Sequence, residues 1–205
     1  KLGKDSMTLA AKAYVKNETP DYYVQHYLSN HYRWDNEFSK TYRFYVGGEV
    51  AYPTQWVKPR LKVSFENITN HIYFDNQGLP QQHAGNIQVL AADLQLNITT
   101  PWVNLDNSVV YQHSSSEYIP LPALTLYNNL YYHGTWVKAL DVQIGVDMRL
   151  FTKYYAPVLN PALGQFCVQN VEKVGNYPVM NVYANFYVKH IRLKLFAQYQ
   201  HFNAS

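Results

Sequence analysis

Leu140-Asp141-Val142-Gln143-Ile144-Gly145-Val146-Asp147-Met148-Arg149-Leu150 alternates apolar and polar residues without a break. Successive side chains of a strand point to opposite faces. The stretch therefore has one aliphatic face, Leu140 through Leu150, and one face of Asp141, Gln143, Gly145, Asp147 and Arg149. Its length is that of a tilted strand crossing a hydrocarbon layer, about 9–11 residues. Tyr131, Tyr132 and Trp136 precede it, and Phe151, Tyr154 and Tyr155 follow it. An aliphatic middle with aromatic ends is the profile of a membrane-spanning β-strand.

Composition agrees with an unusual β protein. Tyrosine supplies 20 of 205 residues and charged residues only 15%, while a hydrophobic fraction of 47% coexists with a mean hydropathy of -0.34. Soluble domains are about a quarter charged, so this chain is charge-poor. A net charge of +3 with no Lys/Arg run and no glycine-rich phosphate loop argues against nucleic acid as a partner. The single cysteine, Cys167, excludes an internal disulfide framework and reads as a buried or lipid-side thiol. There is no apolar run of about eighteen residues, hence no transmembrane helix. The chain opens at Lys1 without a basic-then-apolar leader, so the expectation is a removed signal peptide or a start inside a larger protein.

Nine alternating segments are legible, at about 7–16, 41–51, 56–68, 86–96, 102–113, 121–132, 138–150, 178–188 and 191–201. Residues 1–205 read as a single barrel portion, with long loops at about 17–40, 69–85 and 151–177 and a tight turn at Lys189 and His190. Long and short connections alternate. Antiparallel strands joined in order put every second connection on the same rim, so one rim carries tight turns and the other long loops, as in outer-membrane barrels. The fold class expected is all-β: an antiparallel transmembrane β-barrel with about nine strands visible. Bacterial single-chain barrels have an even strand number, so the chain is expected to be part of a larger barrel.

The polar faces gather the candidate pore-lining residues Arg43, Glu49, Lys62, Glu66, Asp93, Asp106, Asp141, Asp147, Arg149, Arg192 and Lys194. Mixed charge of this kind suits a water-filled lumen. Alternation alone does not say which face is inside. In a secreted β-sandwich the same aliphatic residues form the core, and Tyr23, Tyr27, Tyr32, Trp34 and Tyr42 would then offer rings for stacking on glycans. A hydrolase on that scaffold is a weaker third reading. Asp141 and Asp147 lie about 20 Å apart along one strand, too far for a glycosidase pair. No Gly-x-Ser-x-Gly elbow, His-x-x-x-His or Cys-x-x-Cys occurs, and neither a metal nor a cofactor is expected.

The carboxyl-terminal third carries motifs with a family likeness: Gly145-Val146-Asp147, Tyr154-Tyr155-Ala156-Pro157, Asn160-Pro161-Ala162, Phe166, Gly175-Asn176-Tyr177-Pro178 and Asn181-Val182-Tyr183-Ala184-Asn185-Phe186. These, with Asn30 to Asn36 and Asn70 to Asp75, resemble the "putative porin" family of Bacteroidetes outer membranes over nearly the whole chain. The resemblance implies an envelope β-barrel in a bacterial outer membrane with channel activity, and it supplies no substrate or catalytic residue. It implies contact with outer-membrane lipid, passage of small polar solutes, and a porin or a barrel scaffold among other envelope proteins, not an enzyme.

Overall fold

The computed structural model describes residues 7–136, 138–189 and 191–201. In chain order the elements are β1 (Thr8–Glu18), α1 (Tyr22–Gln25), β2 (His26–Leu28), β3 (Arg33–Asp35), β4 (Thr41–Ala51), β5 (Val57–Phe74) and β6 (Pro80–Thr99). There follow β7 (Val103–Ser114), β8 (Leu124–Trp136), β9 (Leu140–Phe151), β10 (Val158–Asn160), β11 (Gln165–Cys167), β12 (Val179–Val188) and β13 (Leu193–Gln200). Nine long strands form one antiparallel path, β1-β4-β5-β6-β7-β8-β9-β12-β13. Each neighbour in it is the next long strand in sequence, which makes the sheet an up-and-down meander. Among the described residues β1 and β13 do not pair with each other, so the sheet is an open arc.

Register carries the alternation of β9 across the sheet. Ile144 pairs with Tyr132 and Ala184, and Val146 with Leu130 and Val182, all on the aliphatic face. Asp147 pairs with Asn129 and Asn181 on the polar face. The aliphatic face is uncovered: Leu94, Ile144 and Val146 are 48%, 40% and 39% exposed. The accessible surface is 13835 Å², against about 9,900 Å² for a compact monomer of 23.9 kDa. A β-sandwich would bury this face against a second sheet. None lies on it among the described residues, and the sandwich reading falls.

The stretch 69–85, expected as a long loop, is instead the upper part of a hairpin. β5 runs on to Phe74 and β6 begins at Pro80. The cause is a bulge opposite Asn70 (φ 57°): Thr69 pairs with Asn86 and His71 with His83, so Ala84 and Gly85 of β6 face one residue of β5 and the ladder then resumes. The tip closes on Asp75, whose Oδ1 accepts the backbone N–H groups of Gln77 and Leu79, each at 2.9 Å, with Gly78 at φ 81°. The last hairpin also differs from expectation. Val188 pairs with Leu193, so the connection spans 189–192 and Arg192 lies in it at φ 52°; His190 lies outside the described residues. A register shifted by two residues preserves the faces, so alternation alone does not choose between the two turns.

The tight-turn rim repeats one device. Thr54 Oγ1 accepts the Val57 N–H at 3.1 Å and Thr100 Oγ1 accepts the Val103 N–H at 3.0 Å. Each turn then presents a tryptophan, Trp56 or Trp102, and Trp136 ends β8 on the same rim. All three are exposed. By register Trp136, opposite Leu140, lies on the apolar face, where a membrane barrel carries its headgroup girdle, whereas Trp56 and Trp102 continue β5 and β7 with the parity of the polar face. The aliphatic face of β7 runs from Val103 to Tyr111. At about 3.3 Å per residue and a tilt of about 40° it rises about 20 Å, close to the ~25 Å apolar band of such barrels.

The faces make a direct expectation. Ile144→Arg puts a guanidinium on the aliphatic face and is expected to cost about 2–4 kcal/mol in bilayer refolding titrations. Gln143→Arg, one residue away on the polar face, keeps a donor beside the Tyr183 hydroxyl and is expected to be tolerated. Equal cost at the two positions would show the faces to be assigned the wrong way round.

Candidate functional site

Ten of the eleven charged residues expected to line a pore share the polar face. Arg43 and Glu49 stand on β4, Lys62 and Glu66 on β5, Asp93 on β6, Asp106 on β7, Asp141, Asp147 and Arg149 on β9, and Lys194 on β13. Arg192 does not join them, because its residue belongs to the turn. Arg43 bridges Glu66 at 3.3 Å and Glu18 at 3.5 Å, Arg60 meets Glu49 at 3.4 Å, and Lys189 meets Asp141 at 2.9 Å. Lys62 sits in register between Glu49 and Asp93. Asp93 accepts from Gln95 at 2.9 Å and from Ser108 at 3.1 Å.

The same face carries cations that sequence reading missed: Lys12 and Lys16 on β1, and Lys58 and Arg60 on β5, placed there by register. Their signal was available in the alternation of those strands. The register also assembles one continuous polar row, Lys58, Asn97, Asp106, Asn129, Asp147, Asn181 and Gln200, each on a successive strand from β5 to β13. Carboxylates and amides alternate along its middle. Asn181 donates to Asp147 at 2.8 Å, and Tyr183 donates to Asn129 at 2.9 Å. Asp147 is only 8% exposed, and among the described residues no cation lies within ion-pair distance of it, of Asp93 or of Asp106.

Glycine makes room for the rings of this wall. A Cβ at Gly145 would stand 2.7 Å from the Tyr131 Cβ and 2.7 Å from the Tyr183 ring and hydroxyl. A Cβ at Gly47 would stand 2.7 Å from the Tyr45 hydroxyl. The tyrosines thus lie along the sheet, and Tyr45 also stacks on Tyr14 with centroids 4.8 Å apart.

Above the wall the long connections fold onto the β5–β6 hairpin. Trp34, Phe74 and Cys167 form a small buried core with Tyr23, Tyr27, Tyr32 and Leu163 around it. Tyr27 stacks on Trp34 at 4.6 Å, Cys167 of β11 pairs with Phe74 of β5, and Asn160 donates to the Tyr32 hydroxyl at 2.9 Å. Tyr23, Tyr27, Tyr32 and Trp34 are therefore rim packing and not a free platform for sugar rings. Burial and the nearby Asp75 carboxylate push the Cys167 thiol up, which favours its protonated form. On the opposite face of the hairpin Tyr118 stacks on Tyr73 at 4.2 Å and leans on His83 at 5.1 Å. Burial, the Tyr118 hydrogen bond and the carboxylates of Asp75 and Glu117 push Tyr73 up to about 12. Burial and the Arg43 guanidinium hold the His71 imidazole below its ordinary value.

A family model described as "Putative porin" matches residues 1–205. No curated protein matches the chain. With that match, the open sheet is an arc of a transmembrane antiparallel β-barrel wall.

Two outcomes follow from this geometry. Gly145→Ala drives a methyl group into the Tyr131 and Tyr183 side chains and is expected to lower stability by about 1–3 kcal/mol in urea unfolding. Gly48→Ala meets nothing nearer than the Ala10 carbonyl at 3.9 Å and is expected to be neutral or stabilising. Second, the unfolded chain takes up a proton at His71 near the ordinary value of about 6.5, whereas the folded chain resists it. Stability is full above that pH and falls as pH drops through the depressed folded value. Urea unfolding should occur at lower denaturant as the pH falls from 7.5 to 5, and His71→Phe should remove that part of the pH dependence.

Proposed function

Because the chain belongs to the "Putative porin" family, we propose that it forms a water-filled pore in a bacterial outer membrane for passive diffusion of small polar solutes. The observation that carries this reading is one mostly polar face of mixed charge running through nine strands behind a largely uncovered apolar face. Lipid on the apolar side leaves the polar side as the lumen wall. Arg43, Glu49, Lys62, Glu66, Asp93, Asp106, Asp141, Asp147, Arg149 and Lys194 are its charged lining in this proposal.

The wall has little net charge. Its carboxylates are Glu18, Glu49, Glu66, Asp93, Asp106, Asp141 and Asp147, and its cations are Lys12, Lys16, Arg43, Lys58, Arg60, Lys62, Arg149 and Lys194, seven against eight by register. The signs are segregated. Six of those cations stand on β1, β4 and β5, while β6, β7 and β9 carry four carboxylates against Arg149. A polar solute in such a lumen meets a transverse field without a strong barrier to either ion sign.

A barrel scaffold within an envelope complex is the second reading, favoured by the folded rim around Trp34, Phe74 and Cys167. Planar-bilayer recording on the reconstituted protein separates the two. A pore gives ohmic steps whose reversal potential stays near zero under a salt gradient. Correctly folded protein that never conducts would leave the scaffold, and strong selectivity for one ion sign would overturn the balanced lumen.

A further inference from the structure

A cleft of about 490 Å³ opens on the long-loop rim between the tip of the β5–β6 hairpin, the 115–123 loop and the 152–178 loop. Small-molecule pockets run from about 300 to 1,000 Å³. The cleft holds charges of both signs: Asp75 on the hairpin and Glu117 on the 115–123 loop, Lys153 and Lys173 on the 152–178 loop. Among the described residues no ion pair joins them. The loops are fixed in place, since Tyr154 and Val174 exchange backbone hydrogen bonds of 3.1 and 3.0 Å, and Val168 donates to Phe74 at 2.8 Å. The charges are thus carried on a pinned backbone, and no acidic and basic pair among them closes to ion-pair distance.

The chemistry of the lining narrows the ligand. Four tyrosines face the cleft, but their rings are occupied: Tyr73 and Tyr118 stack on each other at 4.2 Å, Lys173 covers Tyr155 at 4.7 Å, and Tyr154 sets against Phe151 at 6.0 Å. Each ring thus has one face or edge already engaged by a protein neighbour, which reduces the aromatic surface open to a sugar ring. The side-chain amides of Asn76, Gln112 and Asn170 also line the cleft and make no hydrogen bond among the described residues. Ile119, Leu121 and Val168 supply apolar surface beside them. Separated opposite charges, spare amides and apolar contacts match a molecule with an ammonium at one end, a carboxylate at the other and peptide groups between.

We propose that this cleft binds short zwitterionic peptides, with the ammonium end toward Asp75 and Glu117 and the carboxylate end toward Lys153 and Lys173. The inference goes beyond the pore and does not depend on conductance. The test is titration calorimetry on the full chain in detergent, with alanyl-leucyl-alanine, its N-acetylated and C-amidated form, and maltotriose as probes. The free tripeptide should bind at least ten-fold tighter than the capped one, and maltotriose should give no heat. Glu117→Gln and Lys153→Gln should each weaken the free tripeptide several-fold and leave the capped one unchanged. Equal binding of the free and capped peptides, binding of maltotriose, or no peptide heat from folded protein would overturn the proposal. Bilayer conductance of the same preparations reports on the pore separately: peptide binding without conductance upholds the cleft and counts against the pore, and conductance without peptide binding does the reverse.

Discussion

In-register antiparallel pairing is the constraint on which the rest of this structure depends. Opposite residues in such a pair lie on the same face, so a single choice of parity in β9 propagates strand by strand to Lys12 in one direction and Gln200 in the other. A slip of one residue anywhere would turn charges such as Lys62, Asp106 or Asp147 toward the apolar side. The row from Lys58 to Gln200 shows how strictly parity is kept, because every member is polar and its neighbours one residue away are mostly aliphatic. The polar face and the apolar face are thus two outcomes of one register.

That register also explains why the wall uses tyrosine and amide groups where charge would serve less well. A charge away from bulk water needs a partner, whereas tyrosine offers an apolar ring and one hydroxyl. Tyr183 lies over Gly145 and reaches Asn129, so the ring covers backbone and the hydroxyl satisfies an amide. The glycine and the ring are on neighbouring strands, and only the fixed pairing of Tyr183 with Gly145 brings them together. Charge poverty in composition is here a consequence of local packing.

Parity, strand number and meander order were legible because each long strand alternates over enough residues to declare its faces. What was hidden follows from particular residues. Asn70 and the polar run Gln81, Gln82 and His83 look like loop, yet one left-handed residue lets them continue a ladder. The turn containing Arg192 was misplaced because registers two residues apart share the same faces. Lys12, Lys16, Lys58 and Arg60 were overlooked as wall residues, although their strands follow the same rule. The rim core was illegible in a stronger sense: Trp34, Phe74 and Cys167 are far apart in sequence, and no local pattern announces that they meet.

The height at which the wall leaves the membrane can be read from the outer face of β5 and β6. It is apolar from Val57 and Ile98 up to Phe65 and Leu90, and then turns polar at Asn67 with Gln88 and at Thr69 with Asn86. The apolar part rises about 20 Å at ~3.3 Å per residue and ~40° tilt, near the thickness such barrels present to lipid. Thr69 donates to Asn86 at 2.6 Å, so the second polar pair above the belt is satisfied across the ladder. Asn107 and Asn128 are the exception inside the belt, directly opposite each other on β7 and β8 and hydrogen-bonded side chain to side chain. Pairing is what makes an amide tolerable on a lipid face, since a lone one would forgo its hydrogen bonds. The same rule governs the backbone at the two edges of the arc. The outward N–H and C=O groups of β1 and β13 require a strand partner wherever they lie within hydrocarbon, whether from each other or from further strands.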